Sequence, residues 1–257
     1  MKHLCYATLR LNLNRYLMVN SMIQCTICYT ENHHLALHCK KCGAFLQNKI
    51  ETLDLFTTAW GILENPHKTF QNIAVSRHKN YSIILSFLAG IGFVFLIFWL
   101  LKTGTMINSL INLIIAGILI GIPFGIITVI IFTLVFVIIS RLTGTMVSFK
   151  NCFGVTAYAL MPVVISAILV LPLEIMTFGI YFFSNNPSPY LLKPTSYILL
   201  LILDVIFAIW TLFLLVIGMK KLTDQSYLLS TTILIISIAI LTGIYYGGFQ
   251  FLLPYLK

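Results

Sequence analysis

Charged residues are scarce in this chain. Of its 257 residues only 9% are charged, whereas 59% are hydrophobic. A soluble domain carries about 25% charged residues, so this composition indicates a polytopic integral membrane protein. The net charge of +9 arises from short basic pairs beside apolar runs, without a dense basic patch. That arrangement is typical of membrane orientation signals, and it argues against nucleic acid as the partner.

Several kinds of catalytic residue and motif are also missing. All six histidines lie at or before His78, so the apolar runs that follow offer no imidazole for haem, for a metal within the bilayer or for histidine-based catalysis. The sequence contains no Gly-x-Ser-x-Gly, His-Glu-x-x-His or Gly-x-x-x-x-Gly-Lys-Ser/Thr motif. The usual signatures of hydrolases and nucleotide-driven pumps are therefore absent, and we do not expect an enzyme.

The N-terminal segment lacks acidic residues and lacks the apolar block of ~7–15 residues that a signal peptide needs. Met22 stands three residues before the first cysteine of a Cys-x-x-Cys pair. We expect translation to begin at Met22. Residues 1–22 are then an unstructured leader, or an artefact of assigning the start codon too far upstream.

Two Cys-x-x-Cys pairs, Cys25–Cys28 and Cys39–Cys42, are separated by ten residues. Zinc takes four ligands in a tetrahedron, and each pair offers two sulfurs from one tight turn. Two such turns complete a closed site without an open position for catalysis. The sequence therefore predicts a zinc ribbon over residues 23–48 that holds one structural Zn²⁺.

Residues around the pairs leave alternatives for this site. His33, His34 and His38 lie between the pairs, and any of them can replace a sulfur. Gly43 suits a turn residue with positive φ, whereas Tyr29 at the equivalent place in the first turn weakens the symmetry. A thioredoxin-like redox turn is disfavoured because there are two copies and no βαβ pattern, and disulfides are disfavoured by the missing signal peptide.

Five apolar runs follow, each long enough for the ~20 residues that cross a membrane. They are Ser82 to Leu101, Ile107 to Ile139, Val155 to Phe183, Ser196 to Met219 and Leu228 to about Phe251. The second run spans 33 residues, about 50 Å as a helix, and Gly121, Pro123 and Gly125 interrupt it. Splitting it would give six crossings instead of five.

Basic residues decide between five and six crossings. With five crossings, seven basic residues flank one side of the membrane, and three (Lys102, Lys193 and Lys257) flank the other. The seven are Lys68, Arg77, Lys79, Arg141, Lys150, Lys220 and Lys221. Splitting the second run reverses this bias. We therefore predict one tilted or kinked second helix, with a cytoplasmic N-terminus and ribbon and an external C-terminus. A reducing cytoplasm also suits the thiols.

Residues 49–80 form a predicted amphipathic juxtamembrane segment. Leu53, Phe56, Trp60 and Leu63 recur at steps of three and four residues and make a one-sided apolar stripe. Such a stripe can lie in the headgroup plane of the membrane. Packing as ordinary core on the cytoplasmic ends of the spans is the equally supported alternative.

Two stretches carry a resemblance to a known family. One stretch runs Phe56-Thr-Thr-Ala-Trp60-Gly-Ile-Leu63-Glu-Asn65-Pro66-His-Lys-Thr69-Phe70-Gln-Asn-Ile73 and is followed by Arg77-His78-Lys79; the other is Tyr158-Ala-Leu-Met-Pro162. Together they resemble the Yip domain, a family of five-span membrane proteins named for interacting with Ypt/Rab GTPases. The resemblance covers roughly residues 56–252 and implies a five-helix domain over residues 81–252.

The resemblance implies a class of role and no catalytic residues. For eukaryotic relatives the family implies roles in vesicle traffic, GTPase recruitment and membrane shaping. Many bacterial relatives carry a zinc ribbon before the domain, and for these the resemblance implies only an integral membrane protein, here in a bacterial cytoplasmic membrane. The fold class that we predict is accordingly an all-α integral membrane bundle of five transmembrane helices, preceded by a small zinc ribbon.

Two acidic residues, Glu174 and Asp204, lie inside the third and fourth predicted spans. They stand nine and eight residues from the outer ends, about 12–14 Å deep by helix rise, and they can face each other. A charged carboxylate there costs at least ~2.5 kcal/mol, so such acids often mark ion or proton paths. The alternative is a protonated acid that bonds a neighbour such as Asn112 or a carbonyl beside Pro172.

Three function classes follow from these features. The ribbon, the stripe and the resemblance favour a non-enzymatic membrane adaptor or scaffold, which binds the lipid bilayer and docks a protein partner through the ribbon or cytoplasmic loops, with oligomerisation open. Glu174 and Asp204 favour a small proton- or ion-coupled transporter or channel, although no inverted repeat supports it. Lys40 and Lys41 alone favour a membrane-tethered nucleic-acid binder. We adopt the adaptor.

Overall fold

The computed structural model describes residues 22–33, 36–46, 52–107 and 109–252 of the chain. Residues 1–21 of the expected leader, His34 and the last five residues lie outside these ranges. The first described segment is a small antiparallel sheet of strands β1 (Met22–Gln24) and β2 (Glu31–His33), with Gln24 opposite Glu31. The four cysteines of the two pairs lie on the turns beside this sheet.

Nine α-helices make up most of the remaining described chain. In chain order they are α1 (Leu55–Glu64), α2 (Pro66–Val75), α3 (Ser82–Leu101), α4 (Leu110–Leu142), α5 (Phe149–Ala159), α6 (Met161–Phe178), α7 (Pro189–Leu192), α8 (Pro194–Thr223) and α9 (Tyr227–Leu252). Five apolar segments are long enough to cross a membrane, namely α3, α4, the α5–α6 segment Phe149–Phe183, α8 and α9. The prediction of an all-α membrane bundle with five spans is confirmed.

Local sequence signals explain where the first helices begin. The Asp54 carboxylate accepts a hydrogen bond from the Thr57 backbone N–H at 2.8 Å and caps α1. The Asn65 side chain accepts from the Lys68 N–H at 3.2 Å, and Pro66 occupies the first position of α2. That position tolerates proline because its N–H would have no partner within the helix.

The third apolar segment differs from its predicted form. It starts six residues earlier than expected, at Phe149, and is broken between α5 and α6 at Leu160. Pro162 lies two residues after the break, in the first turn of α6. A proline there lacks the N–H that would continue α5, so the chain ends one helix and starts another.

The helices pack most densely at one end of the bundle, which we call the basic end. It is the end where α3 begins, α4 ends, α5 begins and α8 ends, and it carries the seven basic residues that the sequence groups on one side. The core there includes Phe70 of α2, Phe136 of α4, Tyr158 of α5 and Leu214 of α8, all fully buried. Toward the opposite end α8 and α9 become exposed. The helices therefore pack tightly on one side of the membrane and leave space on the other.

The second apolar run is one continuous helix, α4, as predicted. Its interrupting glycines face α3: a Cβ built on Gly121 would lie 2.6 Å from the Cα of Ile91, and one on Gly125 would lie 2.7 Å from the Cα of Gly90. The spacing of Gly117, Gly121 and Gly125 places all three on one helix face. Small residues let membrane helices approach closely, so these glycines are the contact surface for α3.

The amphipathic stripe before the bundle is divided between two environments. Leu53 is buried in the core, whereas Phe56 and Trp60 on α1 are 84% and 68% exposed. The buried face of α1 is made by Thr58 and Ile62 instead. The outer aromatic residues therefore lie on the surface of the protein, next to helices whose outer faces are also apolar.

Candidate metal centre and intramembrane acid pair

The structure brings together the four cysteines that the sequence pairs. The Sγ atoms of Cys25, Cys28, Cys39 and Cys42 all lie within 4.8 Å of one another. Across the pairs, Cys25 Sγ lies 3.6 Å from Cys42 Sγ and Cys28 Sγ lies 3.4 Å from Cys39 Sγ. Four sulfurs around one zinc at ~2.3 Å stand about 3.8 Å apart in a tetrahedron. The cluster therefore has the size of a four-thiolate metal site.

The two cysteine turns repeat one backbone conformation. Tyr29 and Gly43 both have positive φ, 53° and 69°. The Tyr29 N–H donates to the Cys25 carbonyl at 2.9 Å, and the Gly43 N–H donates to the Cys39 carbonyl at 3.0 Å. The sequence suggested that Tyr29 weakens the symmetry, yet the backbone keeps it. Tyrosine adopts the left-handed conformation here at a local cost.

Hydrogen bonds within the second turn favour the thiolate form of its first cysteine. The backbone N–H groups of Cys42 and Lys41 lower the pKa of the Cys39 thiol to about 6. The Ala44 N–H lowers the pKa of the Cys42 thiol, but the neighbouring thiols of Cys28, Cys25 and Cys39 together with partial desolvation outweigh it and raise that pKa to about 12. A bound metal takes all four sulfurs as thiolates, and its charge offsets the repulsion between them. The donor set therefore fits a divalent metal that prefers sulfur, such as zinc.

His38 and Cys152 do not belong to the cysteine cluster. Among the described residues, the group that can hold a metal contains only these four cysteines. His38 is exposed, and its ring packs edge-on against Phe45 at a centroid distance of 5.7 Å. Cys152 is fully buried in the helical core.

The ribbon carries apolar side chains on its surface. Ile27 and Tyr29 are each 71% exposed, and Phe45 is 54% exposed. They come from both cysteine turns. These three side chains are therefore available for contact with another molecule.

Glu174 and Asp204 share a cavity within the bundle. The cavity has a volume of about 380 Å³ and lies between α3, α6 and α8. Glu174 is only 4% exposed, and it is close enough to Asp204 for the two side chains to interact directly. The expectation that the acids lie inside neighbouring spans and can face each other agrees with this geometry.

The polar partner of Asp204 is a residue that sequence analysis did not single out. The Ser166 hydroxyl on α6 donates to Asp204 Oδ1 at 2.6 Å. Asn112, suggested as a partner, is exposed near the start of α4 and does not line the cavity. Ser166 lies eight residues before Glu174, close to two full turns of α6, so the two residues lie on the same side of the helix. This spacing is the sequence signal that could have identified Ser166.

Comparison with known proteins identifies the helical part of the chain. Residues 60–249 match the model of the Yip1 domain family. No curated protein and no solved structure matches the chain. The matched range contains all five membrane-length segments and both intramembrane acids, and it begins after the ribbon.

Proposed function

We propose that this chain, which belongs to the Yip1 domain family, is a non-enzymatic integral membrane adaptor whose N-terminal ribbon holds one structural zinc ion and docks a protein partner. The ribbon and N-terminus lie in the cytoplasm, the C-terminus lies outside, and a bacterial cytoplasmic membrane is the host. The roles in membrane organisation or trafficking that the resemblance implies suit an adaptor of this kind.

The observation that carries this proposal is the four-sulfur cluster with its exposed apolar neighbours. All four sulfurs converge on one point, so a bound zinc has no open position for chemistry and its role is to fix the two turns. The fixed turns then present Ile27, Tyr29 and Phe45 to solvent. Apolar and aromatic side chains of this kind often form the centre of a protein interface.

Site-specific photocrosslinking tests the docking role. A photoreactive phenylalanine analogue replaces Tyr29 or Phe45 in the full chain in living cells. A matched control carries it at Met106, an 81% exposed residue at the opposite end of the bundle. We expect a discrete crosslinked protein from the ribbon positions that is absent from Met106.

Removal of the metal site completes this test. The crosslink should disappear in a Cys39→Ser, Cys42→Ser double variant that still inserts into the membrane. A crosslink of equal strength without the metal site would contradict docking by a zinc-ordered ribbon. Identical crosslinks from Tyr29, Phe45 and Met106 would contradict a specific docking surface.

A second candidate function rests on the acid pair. Two carboxyl groups from different spans share one cavity, and membrane-embedded acids often belong to ion or proton paths. We propose proton- or ion-coupled transport as the alternative. A pH jump across the membrane of liposomes that contain the purified chain tests this alternative. Flux that either Glu174→Gln or Asp204→Asn abolishes would favour the transporter over the adaptor. Absence of flux would exclude the transporter.

A further inference from the structure

The cavity between α3, α6 and α8 is only partly enclosed. Leu96, Leu201 and Val205 line it and are 52%, 36% and 50% exposed. They belong to membrane-length helices, so we expect a molecule dissolved in the bilayer to reach the cavity between the helices.

The walls of the cavity are mostly apolar, and five of the lining residues are aromatic. They are Phe93, Phe95, Trp99, Phe182 and Phe207. Aromatic faces attract cations, and the attraction grows when the cation loses its water. A volume of about 380 Å³ lies in the ~300–1,000 Å³ range of small-molecule sites.

The polar groups of the cavity favour a positive ligand. Glu174 and Asp204 line it, and no Lys, Arg or His of the described chain does. The Ser166 hydroxyl donates a hydrogen bond to Asp204 Oδ1, so this carboxyl oxygen acts as an acceptor. Glu174 is buried without a basic partner among the lining residues.

An inorganic cation fits this set of ligands poorly. Calcium takes ~6–8 oxygen ligands and magnesium needs a full octahedron. The two carboxyl groups and one hydroxyl are the hydrogen-bonding oxygen side chains among the lining residues. The apolar remainder of the cavity also leaves an inorganic ion without a hydration shell. An organic cation supplies its own apolar body and needs only a few acceptors.

We propose that this cavity binds an organic ammonium ion with an apolar body, such as a bilayer-soluble aralkylamine. The nitrogen lies between Glu174 and Asp204 and donates to their carboxylate oxygens, and the apolar body contacts the aromatic walls. The proposal assigns a ligand class to the cavity and is independent of whether the ribbon docks a partner.

Radioligand binding to the purified full chain tests this proposal. The probe is tritiated phenethylamine, measured by scintillation proximity in one detergent. The competitors are unlabelled phenethylamine, neutral 2-phenylethanol and anionic hydrocinnamate, which share the aromatic ring and differ in charge. We expect saturable binding that phenethylamine displaces and that the neutral and anionic analogues displace at least about tenfold less well, because only the ammonium pairs with a carboxylate.

Variants separate loss of charge from loss of folding. Asp204→Asn and Glu174→Gln should each weaken binding by about tenfold or more, whereas Asp204→Glu keeps the charge and should retain most of the affinity. Glu64→Gln, at an exposed acid of α1 outside the cavity, is the matched control and should bind as the parent does. Size-exclusion chromatography checks that each variant is folded.

Three results would overturn the proposal. One is phenethylamine binding that does not saturate, which would indicate partition into detergent. Another is equal displacement by the three analogues, which would indicate a merely apolar cavity. The third is undiminished binding by a folded variant that carries both Glu174→Gln and Asp204→Asn. Docking experiments on the ribbon have separate readouts, so failure of either hypothesis leaves the other standing.

Discussion

Replacing Gly125 by alanine should destabilise the bundle, because this glycine lies where α3 and α4 approach most closely. A Cβ added there collides with the carbonyl oxygen of Ser86 and lies 2.7 Å from the Cα of Gly90. Carbon atoms in favourable contact stand ~3.5–4.0 Å apart, so the two helices must separate by about 1 Å to admit the methyl group. The perturbation acts on backbone atoms, which no side-chain rotation can move away.

The expected magnitude follows from two opposing effects. Overpacking of this kind costs ~1–3 kcal/mol. Alanine in a helix gains ~0.5–1 kcal/mol over glycine because the unfolded chain is less flexible. The net loss in the free energy of unfolding is therefore at most about 2.5 kcal/mol, which lowers the melting temperature by up to roughly 10 °C in a chain of this size.

Heating the purified chain as a fluorescent fusion in one detergent, followed by size-exclusion chromatography, measures this change. Gly243→Ala is the matched control, because a Cβ at Gly243 on α9 meets no atom within 4 Å. That variant should melt at the parental temperature or slightly above it. If Gly125→Ala were as stable as Gly243→Ala, the close approach of α3 and α4 would not be what these glycines provide.

Three further predictions address the metal, the topology and a half-buried lysine. Metal analysis of the purified chain should give one zinc per molecule. A Cys39→Ser, Cys42→Ser double variant should lose the zinc, and Cys152→Ser should retain it fully. Retained zinc in the double variant would contradict zinc binding by the four cysteines. A reporter fused after Lys257 that works only outside the cytoplasm should be active, and an active cytoplasmic reporter there would contradict an odd number of spans. Burial and then repulsion from Lys150 lower the pKa of Lys79 from 10.5 to about 8. Between pH 8 and pH 10.5 the unfolded chain therefore binds more protons than the folded chain, and the free energy of unfolding should rise with pH. A Lys79→Gln variant that shows the same rise in thermal unfolding would contradict this.

Features that depend on local spacing could be predicted from the sequence. The two Cys-x-x-Cys pairs predicted the sulfur cluster, because each chelating turn is made by a few consecutive residues. Apolar length predicted five membrane segments, since a helix must satisfy its own backbone hydrogen bonds within lipid. The charge bias correctly selected one continuous α4 over two shorter helices.

Other features required the packing of distant segments. A helix that is apolar on every side does not reveal which face contacts protein, so the sequence alone did not place Gly121 and Gly125 against α3. The same limit applies to the stripe on α1, where Ile62 faces the core and Trp60 faces outward.

The acid pair shows the boundary between the two kinds of information. The sequence determined that Glu174 and Asp204 lie inside membrane spans, because apolar length and position set depth. Only the tertiary structure decided that α6 and α8 turn these side chains toward one cavity with Ser166 as a donor to Asp204. The physical reason is that depth depends on residues along one helix, whereas rotation about the helix axis depends on the shapes of its neighbours.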